Sequence, residues 1–137
     1  MRIMTEDKKQ LVDIGGEDIW KAVYSTAVSC IGKKRKKYPL AFDFLETGRC
    51  KWEDGYNVAR QINLVRDELS QFSPDKAVYD LDNPKEAAPW SGRLSPVITS
   101  CANMFTTADG KDLLYEIVKI LSYAQVARSN VGKDLFS

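Results

Sequence analysis

The chain has 137 residues, of which 44% are hydrophobic and 28% charged, and its 20 basic and 19 acidic side chains leave a formal net charge of +1. This composition is typical of a folded protein and excludes a disordered chain, and the length fits one domain covering residues 1–137. The balanced charge gives no general attraction to nucleic acid or to an anionic membrane. No apolar run approaches the roughly 18 residues of a membrane span, and Met1–Leu11 lacks the apolar centre of a secretory signal. We therefore expect a cytoplasmic protein.

Histidine does not occur in the chain, so the usual general base and the commonest transition-metal ligand are missing. This excludes Ser-His-Asp and Cys-His triads and HExxH sites, and no GxxxxGK[ST], GxGxxG or GxSxG motif occurs. The cysteines are widely spaced and form no CxxC pair; we interpret Cys30 and Cys101 as small core residues and leave Cys50 open. We predict no metal site, no cofactor and no catalytic residues. An enzyme that uses carboxylates or lysines is the catalytic alternative.

The N-terminal segment Met1–Ile14 allows two interpretations. Thr5–Asp7 could begin a helix, whereas Gln10–Ile14 alternates like a short edge strand. After a pair of glycines, Glu17–Ile31 carries apolar residues at steps of three and four, which predicts a helix that ends at Gly32.

Five consecutive cations, Lys33–Lys37, follow this helix. Cations are favoured at the negative end of a helix dipole, so one interpretation is a solvated helix end and loop. The other is contact with phosphates or with an acidic partner. The run therefore supports an alternative function, a small nucleic-acid-binding module.

The middle of the chain contains three further predicted elements. Pro39–Glu46 is a short apolar segment that fits a strand or a helical turn. A helix is predicted over about Glu53–Phe72, because its apolar residues recur at steps of four and three. Ala77–Leu81 reads as a short strand, since it holds β-branched and aromatic residues before a turn.

Two more helices are predicted in the C-terminal part of the chain. Ser95 is a suitable cap for a helix whose apolar face reaches Phe105. Asp109 can cap a final helix that begins near Lys111 and ends at about Ala127. The tail, Arg128–Ser137, is interpreted as frayed or as a short edge element. Four helices with one or two short strands make a mainly helical α+β fold in a single domain.

Three carboxylates, Asp80, Asp82 and Glu86, lie within seven positions of one another in a predicted loop. Solvated loop charges are one interpretation, and acid–base chemistry or a hard cation is another. We favour an acidic patch that faces a basic partner over catalysis, because nothing nearby supplies a nucleophile.

The three tryptophans divide into two groups. Trp20 lies in an apolar helical stripe and is predicted to be in the core. Trp52, at a helix start, and Trp90, in a proline-containing loop, are candidates for interface anchors because indole rings are common in binding hot spots. Local packing of its loop is the other interpretation of Trp90.

The stretch from Ala88 to Leu114 resembles a family of bacterial immunity proteins. Its Pro89-Trp90 pair precedes the sequence ITSCANMFTTADGKDLL at residues 98–114, which ends in a threonine-rich turn and an Asp-Gly-basic-Asp-Leu run. Val78-Tyr79-Asp80 resembles the strand that precedes this motif. The family is immunity family seventy of the polymorphic-toxin systems, whose relatives include immunity proteins of contact-dependent growth inhibition.

The resemblance implies a stoichiometric inhibitor of a toxin. Such a protein binds the C-terminal domain of a delivered toxin and covers its active site or its target-recognition surface. Because many such toxins are nucleases with basic clefts, Asp80, Asp82 and Glu86 are the preferred contact surface, with Trp90 and Trp52 as further contacts. The motif residues themselves are interpreted as fold determinants, with Asp109 as a helix cap and Gly110 in a tight turn.

Overall fold

A three-stranded antiparallel sheet joins the two ends of the chain. In the computed structural model, which describes residues 1–87 and 94–133, the strand order is β2-β1-β3. Residue Ile3 of the central strand pairs with Val12 on one side and Lys133 on the other. The strands are β1 (Arg2–Thr5), β2 (Leu11–Asp13) and β3 (Val131–Lys133).

Four α-helices pack against this sheet and against one another. Short 3₁₀ helices, Gly32–Lys37, Trp52–Asp54 and Pro74–Lys76, lie between them. The α-helices are α1 (Glu17–Ile31), α2 (Pro39–Thr47), α3 (Gly55–Leu69) and α4 (Leu113–Ala127). The predicted mainly helical α+β fold is confirmed.

Each α-helix turns an apolar stripe inward, and the core contains residues of all four α-helices and of all three strands. The closest helix pair is α3 and α4, where Gly55 lies against the backbone of α4. Ile3, Phe44, Ile62, Leu113 and Leu121 are among the fully buried side chains. In residues 1–87 and 94–133, no helix has the length and apolar character that a membrane span needs.

The strand predicted over Ala77–Leu81 is wrong, because this segment bonds to side chains of α1 and pairs with no strand in residues 1–87 and 94–133. Thr26 Oγ1 donates to the Val78 carbonyl at 3.1 Å and accepts from its N–H at 3.0 Å. The N–H of Leu81 donates to Ser25 Oγ at 3.2 Å. These bonds fix an irregular segment across α1.

The helix predicted from Ser95 to Phe105 is also wrong. Asn103 Oδ1 accepts from the N–H groups of Thr99 and Ser100 at 3.1 and 3.2 Å, and the N–H of Cys101 donates to the Phe72 carbonyl at 2.9 Å. An Asn side chain that captures backbone donors competes with helix formation. The segment is therefore a series of turns and bends.

The structure decides between the alternative interpretations of three segments. Gln10–Ile14 contains β2, whereas Thr5–Asp7 begins no helix and leads into a tight turn. Pro39–Glu46 is helical and opens α2 with its proline. The tail contributes β3 as an edge strand.

The cap predicted for the last helix is one turn too early. The carboxylate of Asp112 accepts from the N–H of Tyr115 at 3.3 Å and caps α4. Asp109 instead accepts a short hydrogen bond from the Thr107 hydroxyl and pairs with Lys111 at 3.5 Å. Gly110 is in a tight turn with φ of +85°, as predicted.

Candidate functional site

The predicted acidic residues Asp80 and Asp82 lie together on the surface beside α1. Lys21, on the first turns of that helix, places its Nζ 3.2 Å from Asp80 Oδ1 and 3.9 Å from Asp82 Oδ2. Asp80 Oδ1 also accepts the N–H of Asp82 at 2.9 Å, which closes a local turn. That backbone hydrogen bond, with the Lys21 ammonium, holds the pKa of Asp80 below its usual range. Asp80 therefore stays ionised near neutral pH.

Tyr79 connects this loop to the N-terminus of α1. Its hydroxyl donates to Asp18 Oδ2 at 3.0 Å. The hydrogen bond to Asp18 raises the pKa of Tyr79, and the charges of Asp18, Glu86 and Asp80 add to the effect. Glu86 therefore lies close enough to belong to the same acidic surface. We call Asp18, Asp80, Asp82 and Glu86 the acidic patch.

A hollow of about 460 Å³ borders the acidic patch between α1 and α2. We call it the α1–α2 hollow. Asp18 of the acidic patch and Lys21, which pairs with Asp80 and Asp82, both line the hollow. The complete lining consists of Met1, Glu17, Asp18, Trp20, Lys21, Tyr24, Leu45, Glu46 and Lys133. The hollow extends the acidic surface away from the loop, because it adds Glu17 and Glu46.

Trp20 is confirmed as a core residue, with 6% of its surface exposed. Its ring meets Phe44 edge-on, with centroids 5.8 Å apart and an angle of 87°. The indole Nε1 is buried and donates to no acceptor among the described residues. A buried N–H without an acceptor is unusual, and it lies on a residue that lines the α1–α2 hollow.

A second hollow, of about 510 Å³, lies on the other flank of α2 and is called the α2–α3 hollow. Asp43, Asp54 and Glu6 are acidic residues in its lining, with Arg49 and Lys51 as cations. Its remaining lining residues are Leu40, Phe44, Thr47, Cys50, Val58, Asn130 and Val131. Helix α2 is therefore a ridge between two hollows, with exposed carboxylates on both sides.

The pKa of the buried Cys50 thiol reflects its burial and the negative charges around the α2–α3 hollow. Burial raises its pKa to about 12, and the negative charges of Asp54, Asp43 and Glu53 contribute. Cys50 is therefore a protonated core thiol near neutral pH, which resolves its open assignment.

The other two thiols lie near one turn, Ser73–Lys76. Cys101 is buried as predicted, although on an irregular segment, and its Sγ donates to the Ser73 carbonyl at 3.3 Å. Cys30 is only partly buried, and its Sγ donates to the Lys76 carbonyl at 3.7 Å. Within the described ranges, no group of three or more metal-ligating side chains comes together.

Trp52 directly follows Lys51, which lines the α2–α3 hollow. Its backbone N–H donates to Asn130 Oδ1 at 2.9 Å, and the Arg128 guanidinium lies over its ring at 5.7 Å from the centroid. The ring is half-buried and already has an intramolecular partner. Trp90, with its neighbour Pro89, lies outside the described residues.

The basic run Lys33–Lys37 forms the 3₁₀ helix at the far end of α1 from the acidic patch. All five side chains are exposed, and Lys34 pairs with Glu68 at 3.8 Å. Three residues per turn spread the cations around the axis instead of aligning them in one stripe.

The sequence did not single out Glu17, Asp18 or Glu46 as parts of a functional surface. The first two were assigned only to the helix dipole of α1, and Glu46 only to an apolar segment. The signal that could have found them is tertiary, because two separate segments, α1 and α2, bring these carboxylates to one surface.

The motif in residues 98–114 is mainly a structural junction. The N–H of Ala108 donates to the Asp13 carbonyl at 2.9 Å, and the N–H of Leu113 donates to the Phe105 carbonyl at 3.0 Å. The turn therefore connects β2 to the start of α4, in agreement with its interpretation as a fold determinant.

Comparison with known proteins supports the same family. The family model described as Immunity protein 70 matches residues 4–132, nearly the whole chain. Comparison with curated proteins and with solved structures gives no match. The chain belongs to the Immunity protein 70 family.

Proposed function

We propose that this protein binds a cognate toxin domain and neutralises it by covering its active or target-recognition surface. The toxin is a nuclease of a contact-dependent growth inhibition system or of a related one, and the complex forms in the cytoplasm. The protein acts by binding alone, without catalysis or a cofactor. Membership of an immunity-protein family supports the toxin partner.

The acidic surface that runs from the acidic patch across α2 is the observation that carries this proposal. The protein has a net charge of only +1, yet Asp80, Asp82 and Glu86 lie together with Asp18 on one side. Nuclease active sites attract phosphates with positive charge, so a surface of opposite sign complements them and speeds association.

The proposed contact residues therefore extend beyond the acidic patch. Trp52 follows Lys51 of the α2–α3 hollow and is partly buried, with Arg128 over its ring. A large aromatic side chain in such a position is suited to burial in an interface. Trp90 stays a proposed contact on the basis of its residue type.

The binding surface can be tested with single charge reversals. Asp82 suits this test because its side chain is 90% exposed and supports the turn through its backbone N–H. Asp82→Lys should weaken toxin binding at least about tenfold, mainly through slower association. The measurement is the affinity and association rate of the purified complex by biolayer interferometry.

Asp67→Lys is the matched control, because it makes the same charge change at an exposed carboxylate of α3. The control should bind the toxin within about twofold of wild type. If both variants bind like wild type, the acidic patch is not the contact surface.

Nucleic-acid binding through Lys33–Lys37 is the second candidate function, favoured by the exposure of all five cations. It predicts an affinity for duplex or single-stranded nucleic acid that falls steeply with salt. A binding curve that does not change with salt, or no binding at low salt, would reject it.

A further inference from the structure

We infer that the α1–α2 hollow is a socket for an arginine side chain of the toxin. The inference rests on the proposed function and deepens it, because it names the chemical group that one part of the acidic surface recognises. Three features of the hollow support this assignment: its size, its free carboxylate and its aromatic wall.

The hollow is large enough for a side chain and part of its backbone. Its volume of about 460 Å³ exceeds the roughly 300 Å³ at which small-molecule pockets begin. Glu46, on its rim, is exposed and forms no ion pair with a described residue. Asp18 accepts from a neutral donor, the Tyr79 hydroxyl. Both carboxylates therefore have capacity for an incoming cation.

The two lysines of the wall are already engaged by other carboxylates. Lys21 lies between Asp80 and Asp82, and Lys133 Nζ pairs with Glu17 at 3.1 Å. The N-terminal ammonium of Met1, another residue of the lining, donates to the Gly15 carbonyl. An incoming cation thus meets Glu46 and Asp18 as the less compensated charges.

The aromatic wall favours arginine over lysine. Trp20 and the partly buried Tyr24 both line the hollow, and a planar guanidinium stacks on aromatic rings while its fork of donors reaches carboxylates. The Trp20 Nε1 is buried, so its N–H signal reports the environment of this wall without itself contacting the incoming group.

The hollow can be tested without the toxin. The chain has three tryptophans, so their indole N–H signals in a nitrogen–proton correlation spectrum can be assigned with Trp52→Phe and Trp90→Phe variants. Titration with N-acetyl-arginine amide should shift the Trp20 signal, whereas the neutral isostere N-acetyl-citrulline amide should not. The shift should be lost in Glu46→Gln. A Trp20 signal that does not move, or that moves equally with both probes, would overturn the inference.

The toxin complex provides a second test. Glu46→Gln should weaken toxin binding at least about tenfold, because it removes a charge-assisted hydrogen bond. Asp67→Asn is the matched control, since it neutralises an exposed carboxylate of α3 that lines neither hollow. This control should stay within about twofold of wild type. Equal losses in the two variants would indicate general charge attraction and no socket.

The two tests separate failure of the inference from failure of the proposed function. If the wild-type protein neutralises its toxin but Glu46→Gln binds like wild type, the socket is wrong and the function stands. If no toxin is neutralised while the Trp20 signal responds to arginine, the hollow binds arginine and the assigned partner is wrong.

Discussion

At the residue scale, Asp7 joins three parts of the chain through one carboxylate. Its Oδ1 accepts from Thr5 Oγ1 at 2.6 Å and from the N–H of Lys9 at 3.0 Å, and its Oδ2 accepts from the Tyr123 hydroxyl at 2.7 Å. These bonds, the one from Thr5 first, hold the pKa of Asp7 below its usual range. The turn between β1 and β2 is thereby tied to α4.

This arrangement predicts a pH-dependent contribution of Asp7 to stability. A carboxyl group whose pKa is lower in the folded state stabilises the protein above its unfolded pKa of about 4, and the effect is lost as the pH falls through the folded value. Asp7→Asn should therefore lower the urea denaturation midpoint at neutral pH, and the difference from wild type should shrink below about pH 4. A difference that is constant across this range would contradict the assignment.

The three thiols should differ in reactivity, because their environments differ. A hydrogen bond from Cys101 lowers the pKa of Cys30, with help from Lys76. The hydrogen bond with Cys30 and burial raise the pKa of Cys101, and burial raises that of Cys50 to about 12. Thiolates are the reactive species. The native protein should therefore be alkylated by iodoacetamide first at Cys30, as read by peptide mass spectrometry.

Unfolding in urea should remove this selectivity, which provides the control. Modification of Cys50 ahead of Cys30 in the native protein would show that the thiol environments are assigned incorrectly.

At the scale of elements, Gly55 allows the closest contact between two helices. A Cβ at this position would lie 2.4 Å from the Leu121 carbonyl oxygen and 3.1 Å from the Gln125 Cβ. Alanine has a higher helix propensity than glycine by about 1 kcal/mol. The steric conflict with backbone atoms of α4 outweighs this gain, since overpacking costs roughly 1–3 kcal/mol.

Gly55→Ala should therefore destabilise the protein by up to about 2 kcal/mol, the net of the two effects. Asn57→Ala is the control, because Asn57 is an exposed residue of the same helix, and it should change stability by less than about 0.5 kcal/mol. Chemical denaturation measures both. A stabilised Gly55→Ala variant would mean that α3 and α4 are farther apart than described here.

Elements with strong local patterns could be predicted from the sequence. The helix Glu17–Ile31 was predicted with the bounds it has, because its apolar stripe lies between glycines. The last helix begins at Leu113, two residues after the predicted start at Lys111. The spacing of apolar residues and the residues that end a helix involve only neighbouring positions, so both can be recognised in a single sequence.

Elements defined by distant partners could not be predicted. Ala77–Leu81 has strand-like residues, but Ser25 and Thr26 of α1 take its backbone bonds. The strand β1 is central in the sheet because it pairs with β3, which lies at the other end of the chain. Local propensity has no information on such pairings and is overridden by them.

At the scale of the whole molecule, charge is separated along α1. The acidic patch lies at the N-terminal end of this 15-residue helix and the run Lys33–Lys37 at the other end, about 22 Å away at 1.5 Å per residue. The basic run was visible in the sequence because it is continuous. Asp80, Asp82 and Glu86 were also visible, as one loop, whereas Asp18 and Glu46 come from separate segments and were not.

The separation of charge also gives the protein an electric dipole along α1. A partner with a basic surface is attracted to one end of α1 and repelled by the other, which orients the encounter before contact. This is the property that an inhibitor of a basic toxin domain requires. The fold thus supports the proposed function through the position of its charges.

Growth protection tests the central claim most directly. Cells are induced to make the C-terminal toxin domain encoded immediately upstream of this chain's gene, with and without this chain, and growth is followed after induction. We predict that the toxin domain alone stops growth and that the chain restores it. Continued growth arrest in cells that contain the folded chain would contradict the claim.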